Sequence, residues 1–424
     1  MRKRIASLLI GGVLVAGSAF GLTACQDGGG KGNKIVLWGP AAQQLSLQEM
    51  VDQFLEENPN FGLEIELGVA SEGSAYDYMS NDAKSGADVF AYANDQIANL
   101  YSIGALARLS PSTVEGLMST NSEASVNAGK LGDGYYGYPY AADNGFFMYY
   151  DKSVVSEKQT HNLEDVLDAC EAAGKYMIYQ FATGWYVGSF MYGAGGQYTA
   201  NYDGPTVTGV ECNFDQLADG KYTYGELGGQ QLIDFLNYND YVVDGDDDKI
   251  SEYLTAKEGC KVGACITGTW NAGVIKQYMG ENYAATILPN WTSTLNNKTY
   301  PWKSFAGYKL YGVNSFSKHL PEAHKLAAFL SSEAMQEKRF DDNEIGPSNN
   351  NVAAMPKVKD NIAIAAISEQ LKAENSVIQA ATPGSYWTEM QSFGGAMKEW
   401  EGTPAELLQR VKDLVTALKA NKSN

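Results

Sequence analysis

Short apolar segments alternate with helical segments along the chain, and this alternation restricts the fold more than any other feature. Lys34–Trp38 is an apolar run typical of a buried strand. Apolar residues then recur at helical spacing from Leu47 to Leu55, and Asn58-Pro59 predicts the end of that helix. Further strands are predicted at 63–67, 87–92, 175–181, 262–267 and 283–288. Further helices are predicted at 163–173 (with Asn162 as its cap), at 250–256 and from 362 to the end, with 404–420 as the last. A βαβα order predicts an α/β fold with mostly parallel sheets.

The length of the chain predicts more than one folded body. The sequence has 424 residues, and about 400 remain if an N-terminal leader is removed. A single hydrophobic core rarely grows beyond roughly 250–300 residues. We therefore expect two lobes.

The first residues predict export. A basic start at Arg2–Arg4, an apolar stretch from Ile5 to Leu22 and small residues after it are typical of a secretory leader. The stretch is also of borderline length for a transmembrane anchor. However, Leu22–Cys25 resembles the lipobox of bacterial lipoproteins, which implies acylation of Cys25. We expect 1–24 to be a lipoprotein signal peptide and 25–33 a flexible tether. The folded body would then lie on the extracellular face of a Gram-positive cell membrane.

The charge excludes some partners. The formal net charge is −19, and such an acidic chain repels both phosphate backbones and anionic lipid. We expect no nucleic acid partner, and contact with the membrane only through the lipid anchor. A monomer is expected.

Four cysteines remain after Cys25, and their state is left open by the sequence. Cys170, Cys212, Cys260 and Cys265 form an even set outside the cell, which permits disulfides. Free thiols in a core are the alternative. A zinc site is not expected, because Cys260 and Cys265 lack a second close pair and the chain has three histidines.

Enzyme signatures are missing from the sequence. It contains no nucleophile elbow, no His-Glu-x-x-His zinc motif, no phosphate loop and no dinucleotide fingerprint after a strand. No cofactor is expected. A carboxylate pair for glycoside cleavage is not excluded, because 50 acidic residues are present.

Aromatic residues are unusually frequent, with 27 tyrosines and 7 tryptophans. Flat rings cover the C–H faces of sugars, and carboxylates or amides accept hydrogen bonds from the hydroxyls. Several stretches combine these residue types near the predicted ends of elements. They are Tyr92–Asp95, Tyr140–Asn144, Trp185-Tyr186, Trp270-Asn271 and Tyr386-Trp387. For any single aromatic residue, packing in the core is the alternative.

The chain resembles the extracellular solute-binding proteins of ABC sugar importers, in particular their maltose/maltodextrin-binding branch. The resemblance covers the whole mature chain and depends on several segments taken together. These segments are Ala87–Asp95, Gly137–Asp143, Phe147–Lys152, Gly268–Trp270 and Phe305–Asn314. It implies a type II periplasmic-binding-protein-like fold, with two α/β lobes, a ligand cleft between them and hinge crossovers near 141–145 and 305–311. The implied lobes are 34–143 with 311–357, and 144–310 with 358–424.

The resemblance also implies a ligand site. The rings of Tyr92, Trp185, Trp270 and Trp387 would stack on sugar rings, while Asp95 and Asp143 would accept hydrogen bonds from hydroxyls. Asn94, Tyr386 and Gln43 complete the predicted site. Two positions depart from the best-known members of the family: Tyr92 stands where a tryptophan is common, and Gln43-Gln44 replaces an Asp-Lys pair.

The function implied is capture of oligosaccharides, most of all maltotriose and longer maltodextrins, for delivery to the permease of an ABC transporter. The alternatives are another class of oligosaccharide, an extracellular glycoside hydrolase, and an adhesive or structural lipoprotein without a cleft.

Overall fold

A computed structural model describes residues 32–203, 206–372, 374–379 and 381–420. Its strands are β1 Lys34–Gly39, β2 Glu64–Val69, β3 Val89–Ala93, β4 Lys130–Leu131, β5 Gly134–Tyr135, β6 Tyr138–Asn144, β7 Phe147–Asp151, β8 Tyr176–Tyr179, β9 Tyr198–Asp203, β10 Thr206–Cys212, β11 Val242–Asp244, β12 Val262–Thr267, β13 Tyr283–Thr286, β14 Trp291–Thr292, β15 Thr299–Tyr300, β16 Ser304–Val313 and β17 Ser376–Ile378. Its α-helices are α1 Gln44–Glu57, α2 Ala75–Asn81, α3 Ile97–Ser102, α4 Pro111–Thr120, α5 Glu123–Asn127, α6 Leu163–Ala172, α7 Gly184–Val187, α8 Ser189–Gly193, α9 Tyr224–Leu236, α10 Asp247–Leu254, α11 Ala272–Met279, α12 Leu320–Leu330, α13 Glu333–Asn343, α14 Asn350–Ala354, α15 Pro356–Lys359, α16 Ile362–Gln370, α17 Gly384–Lys398 and α18 Pro404–Ala420.

The first sheet has the order β17-β16-β3-β1-β2, and β6 also pairs with β16. β1 lies parallel to β2 and β3, whereas β16 runs antiparallel to β3. Successive side chains of a strand point to opposite faces. Leu37 and Ala91 accordingly pack with α1 and α12 on one face, and Phe90 and Tyr92 pack with α2 and α3 on the other. Helices cover both faces, so the first lobe is a three-layer α/β body.

The second sheet has the order β11-β8-β12-β7-β13 and is built in the same way. Met148 and Tyr179 point into the larger cluster, which includes α6, α9, α17 and α18. Tyr149 and Ile178 point to the other face, toward α10, α11 and α16. The structure therefore confirms the predicted α/β fold.

The predicted elements match the observed ones closely where periodicity was strong. The strand at 262–267 and the helix at 404–420 have the predicted bounds. The Asn162 side chain caps α6 by accepting a hydrogen bond from the Asp165 backbone N–H. The expectation of a purely helical tail from residue 362 was wrong, because β17 interrupts it. Parallel pairing of β17 with the start of β16 supplies its backbone partners.

Before β17, three chain segments of the described residues link the two sheets. β6 of the first sheet is followed directly by β7 of the second, β13 leads back to β16, and the segment after α13 leads to α16, which packs on the second sheet. The expected lobe boundary at 310/311 falls within β16, whose residues 307–313 pair in the first sheet. The lobe boundaries remain a proposal.

The four described cysteines are free, and Cys170, Cys212 and Cys265 are buried. Burial raises the pKa of the Cys170 thiol to about 12 and that of Cys212 to about 11. Cys25 and the predicted leader lie outside the described residues. Among the helices that are described, none is both long and apolar enough to cross a membrane.

Candidate functional site

Trp185 and Trp387 form one aromatic pair of the predicted site. Their ring centroids are 6.0 Å apart with an interplanar angle of 34°, and both rings contact Phe305 of β16, at 5.3 and 5.8 Å. The pair depends on Gly184, because a Cβ at that position would lie 2.4 Å from the Trp387 carbonyl oxygen. The first turns of α7 and α17 can therefore approach closely enough to bring the two half-buried indoles together.

Trp270 forms the second aromatic element, in the turn after β12. Its side chain is 44% exposed, although it is a large apolar residue. The ring lies over Gly268, where a Cβ would come within 1.9 Å of a ring carbon. The Lys309 Nζ lies 6.0 Å from the ring centroid, within the range of a cation–π contact.

The two aromatic elements lie along a single strand. Phe305 contacts the Trp185–Trp387 pair, and Lys309 contacts Trp270. Residues four apart on a strand share a face and are separated by about 13 Å. β16 therefore contacts all three predicted tryptophans at these two positions, and we call Trp185, Trp387 and Trp270 the aromatic row.

Asp143 lies at the centre of the link between the lobes. Its Oδ2 accepts hydrogen bonds from the Thr269 hydroxyl at 2.8 Å and from the Gly346 backbone N–H at 2.9 Å. Its Oδ1 lies 3.2 Å from the Lys309 Nζ. The carboxylate thus joins all three linking segments and the turn that carries Trp270. Pairing of β6 with β16 is irregular around it, since Gly307 faces Asn144 whereas Lys309 faces Ala141.

Lys309 is a buried cation beside this carboxylate. Burial lowers the pKa of Lys309, but the charges of Asp143 and Glu72 outweigh that effect, so the pKa is raised and the ammonium is retained. Glu72 is half-buried and accepts a hydrogen bond from the Tyr140 hydroxyl at 2.7 Å. The carboxylates of Asp143 and Glu72 therefore balance the buried positive charge of Lys309.

Gln43 belongs to the same polar region but is 95% buried. Its Oε1 accepts a hydrogen bond from Arg339 Nε at 3.2 Å, and its Nε2 lies 3.5 Å from Glu72 Oε1. Arg339 is itself 1% exposed and also donates to the Tyr311 hydroxyl at 3.0 Å. Gln43 therefore supports the buried arginine in this structure.

Asn94 and Asp95 lie at the end of β3, as expected, and both are buried. Asn94 Oδ1 accepts from the Tyr308 backbone N–H at 2.9 Å, and its Nδ2 donates to the Gln379 carbonyl. Burial raises the pKa of Asp95 to about 7, against smaller lowering effects from its own backbone and from Gln379. Its Oδ1 has no hydrogen-bond partner among the described residues.

Tyr92 corrects the sequence-based expectation. Its side chain is fully buried in the core of the first lobe, with its hydroxyl 3.4 Å from the Tyr136 carbonyl oxygen. A ring packed on all sides has no face left for a sugar. Because the structure directs its ring into the core, Tyr92 does not belong to the exposed row of aromatics.

Tyr386 is buried too, but it lines a cavity of about 430 Å³ together with Tyr192, Tyr198 and Phe305. Its hydroxyl lies 2.5 Å from that of Tyr192. A second cavity of about 590 Å³ includes Asn94. Neither cavity is lined by Trp185, Trp270 or Trp387, so these volumes do not define the predicted tryptophan site.

Comparison with known proteins shows which protein family the chain belongs to. Residues 49–366, well over half of the chain, match the family described as bacterial extracellular solute-binding protein. The chain belongs to this family. The galactooligosaccharide-binding protein of Bacillus subtilis (strain 168) is 24% identical over 405 residues, which cover 90% of this chain and 89% of the relative.

Solved structures support the two-lobed fold. One described as solved with acarbose is 26% identical, has a TM-score of 0.78 and covers 92% of this chain and 99% of its own. The Thermus thermophilus maltotriose-binding protein bound with maltotriose is 16% identical, with a TM-score of 0.74, and covers 91% and 99%. The chain is therefore a two-lobed solute-binding protein rather than an enzyme.

Sequence reasoning missed several polar residues that contact predicted site residues of this solute-binding protein. They are Glu72, Asp247, Thr269, Lys309 and Arg339. Lys309 is a single cation in the otherwise apolar and aromatic strand 304–313, a pattern that indicates a buried partner. The other four have no local feature that distinguishes them from surface residues.

Proposed function

We propose that this solute-binding protein captures oligosaccharides, with a preference for α-linked glucose oligomers of three or more units, and delivers them to the permease of an ABC importer. The observation that carries the proposal is the row of Trp185, Trp387 and Trp270 along β16. Partly exposed indole rings beside a link between two lobes suit the flat faces of sugar rings.

Several polar groups fit hydroxyl-rich ligands. Glu72 is partly exposed, Asp95 has an unpaired oxygen, and the Trp185 indole N–H has no hydrogen-bond partner among the described residues. Such groups gain a partner when a hydroxyl arrives. The relatives named above bind galactooligosaccharide, acarbose and maltotriose, and these ligands set the range to be tested.

In the proposed cycle, the ligand draws the lobes together about the segments near 141–145 and 305–311. The closed monomer then presents surfaces of both lobes to the permease. The lipid on Cys25 would hold the protein at the extracellular face of the membrane, with 25–33 as tether.

Calorimetric titration of the ligand-free protein tests the ligand class. Maltotriose, maltotetraose, a galactooligosaccharide and cellotriose form the panel. We expect the two α-glucans to bind at least about tenfold more tightly than the others, a difference of about 1.4 kcal/mol. Small-angle scattering should show compaction with the same sugars.

Preference for the galactooligosaccharide would favour the second candidate, which is supported by the Bacillus subtilis relative. Binding of none of the four sugars would reject the proposal. Release of glucose during a long incubation would instead indicate a hydrolase.

A further inference from the structure

Asp247 is an exposed carboxylate at the start of α10, directly opposite the turn after β12. Its Oδ2 accepts a hydrogen bond from the Trp270 indole N–H at 2.9 Å. Its Oδ1 accepts from the Thr267 hydroxyl at 3.0 Å and from the Asn271 side-chain amide at 2.6 Å. One carboxylate therefore contacts three side chains within five residues of the turn.

The Trp270 side chain needs such a contact to keep one orientation. An exposed indole has several rotamers, and its N–H is a donor only. Gly268 lies against the face of the Trp270 ring, and Asp247 accepts a hydrogen bond from the N–H at the edge of the ring. A bond from N–H to a charged acceptor is stronger than a neutral one, so it favours one rotamer before any ligand arrives.

We propose that Asp247 is a positioning residue, which fixes the Trp270 ring in its ligand-binding orientation in the empty protein. The inference rests on the proposed function, because it assumes that Trp270 stacks on sugar. Both oxygens of Asp247 accept hydrogen bonds from protein donors, and in this proposal its effect on binding passes through the Oδ2 contact with Trp270. A ring ordered in advance costs less conformational entropy when the ligand binds.

The neighbouring Asp248 provides a matched control. It is also exposed and lies in the first turn of the same helix, but no hydrogen bond joins it to the described residues 267–271. Asp247→Ala and Asp248→Ala remove the same charge from the same helix end. A difference between them therefore reports the contact with the turn.

The first measurement uses the ligand-free protein. The indole N–H resonance of Trp270 is assigned by its loss in Trp270→Phe. We expect this resonance to shift in Asp247→Ala and to stay in place in Asp248→Ala. An unchanged resonance in Asp247→Ala overturns the proposal. Asp247→Asn, which keeps the shape and one acceptor oxygen, should give a smaller shift and serves if the alanine variant does not fold.

The second measurement is a double-mutant cycle with maltotriose as the probe. Asp247→Ala should weaken binding at least about fivefold when Trp270 is present. In the Trp270→Ala background it should cause almost no further loss. Equal losses in both backgrounds would mean that Asp247 contacts the sugar itself, and would overturn the positioning role. If the unaltered protein binds no sugar of the panel, the proposed function fails, and the resonance measurement still decides whether Asp247 orients Trp270.

Discussion

Thr269 donates its hydroxyl hydrogen to Asp143 Oδ2 at 2.8 Å, and this bond joins the turn that carries Trp270 to the strand that links the lobes. The same carboxylate contacts Lys309 and the backbone of Gly346. Asp143 was expected from the sequence to bind sugar, yet in this structure its described contacts are to protein groups of two other linking segments and of the turn after β12. We infer that it couples the aromatic row to the geometry of the hinge.

Asp143→Ala is expected to destabilise the protein by about 3–5 kcal/mol, because it leaves Lys309 buried without its charge partner. The measurement is the free energy of unfolding in urea. Lys309→Met tests whether the loss of stability comes from the unpaired charge of Lys309. The double variant Asp143→Ala, Lys309→Met should be less destabilised than the sum of the two single variants, and strict additivity would contradict the ion pair.

Gly268→Ala should weaken oligosaccharide binding on the order of tenfold, because the new Cβ would lie 1.9 Å from the Trp270 ring and force the ring to move. Gly273→Ala is the matched control, since a Cβ in that part of α11 meets nothing within 4 Å. The control should keep its affinity and gain about 0.5–1 kcal/mol of stability. Calorimetry and thermal melting check both variants. Equal affinities would show that the close approach of Gly268 to the Trp270 ring does not matter for binding.

The fold could be predicted because its signals are local. Helical spacing and apolar runs lie within windows of 5–18 residues, and they located β12 and α18 with the observed bounds. β17 was missed because three residues, Ser376–Ile378, carry too little pattern to distinguish them from the helices on either side.

The site could be predicted only in part, because the direction of a side chain depends on partners distant in sequence. β3 is buried on both faces, so its sequence shows no alternation that would tell whether Tyr92 points to the core or to the cleft. Asp143 meets Thr269 and Gly346 from segments more than 100 residues away. The predicted tryptophans have a local signal in the sequence, because the glycines beside them, Gly184 and Gly268, indicate a close approach of another group.

Cys25→Ala is expected to abolish membrane attachment of the mature protein or to leave the leader uncleaved, because the proposed lipid would be attached through the thiol of that residue. Fractionation of cells and the mass of the N-terminal peptide provide the measurement. Cys260→Ala, a free and half-buried thiol in the folded body, is the control and should stay on the membrane. Normal retention and processing of Cys25→Ala would disprove the lipobox interpretation.

Asp95 should make stability depend on pH. Its pKa is raised to about 7 by burial, whereas an unfolded carboxyl titrates near about 3.9. Between these values the native state holds more protons than the unfolded state, so the free energy of unfolding falls as pH rises from about 4 to 7. Asp95→Asn removes this pH dependence. The free energy of unfolding of the variant, relative to that of the unaltered protein, should therefore rise by up to about 4 kcal/mol between about pH 4 and 7. A difference that stays constant from pH 4 to 8 would show that the carboxyl is not held protonated.

Trp270→Ala distinguishes a ligand-binding tryptophan from one that stabilises the core. Its ring is 44% exposed, so truncation removes little packing, and we expect a small change in the melting temperature of the empty protein. Loss of ring stacking should cost on the order of 1–3 kcal/mol of binding, or roughly 5- to 150-fold in affinity for maltotriose. Trp400→Ala is the matched control, because this half-buried indole packs on the large cluster of the second lobe. It should lower the melting temperature and preserve the affinity. If Trp270→Ala instead melts many degrees lower and binds maltotriose as before, Trp270 is a structural residue, and the aromatic row along β16 is reduced to Trp185 and Trp387.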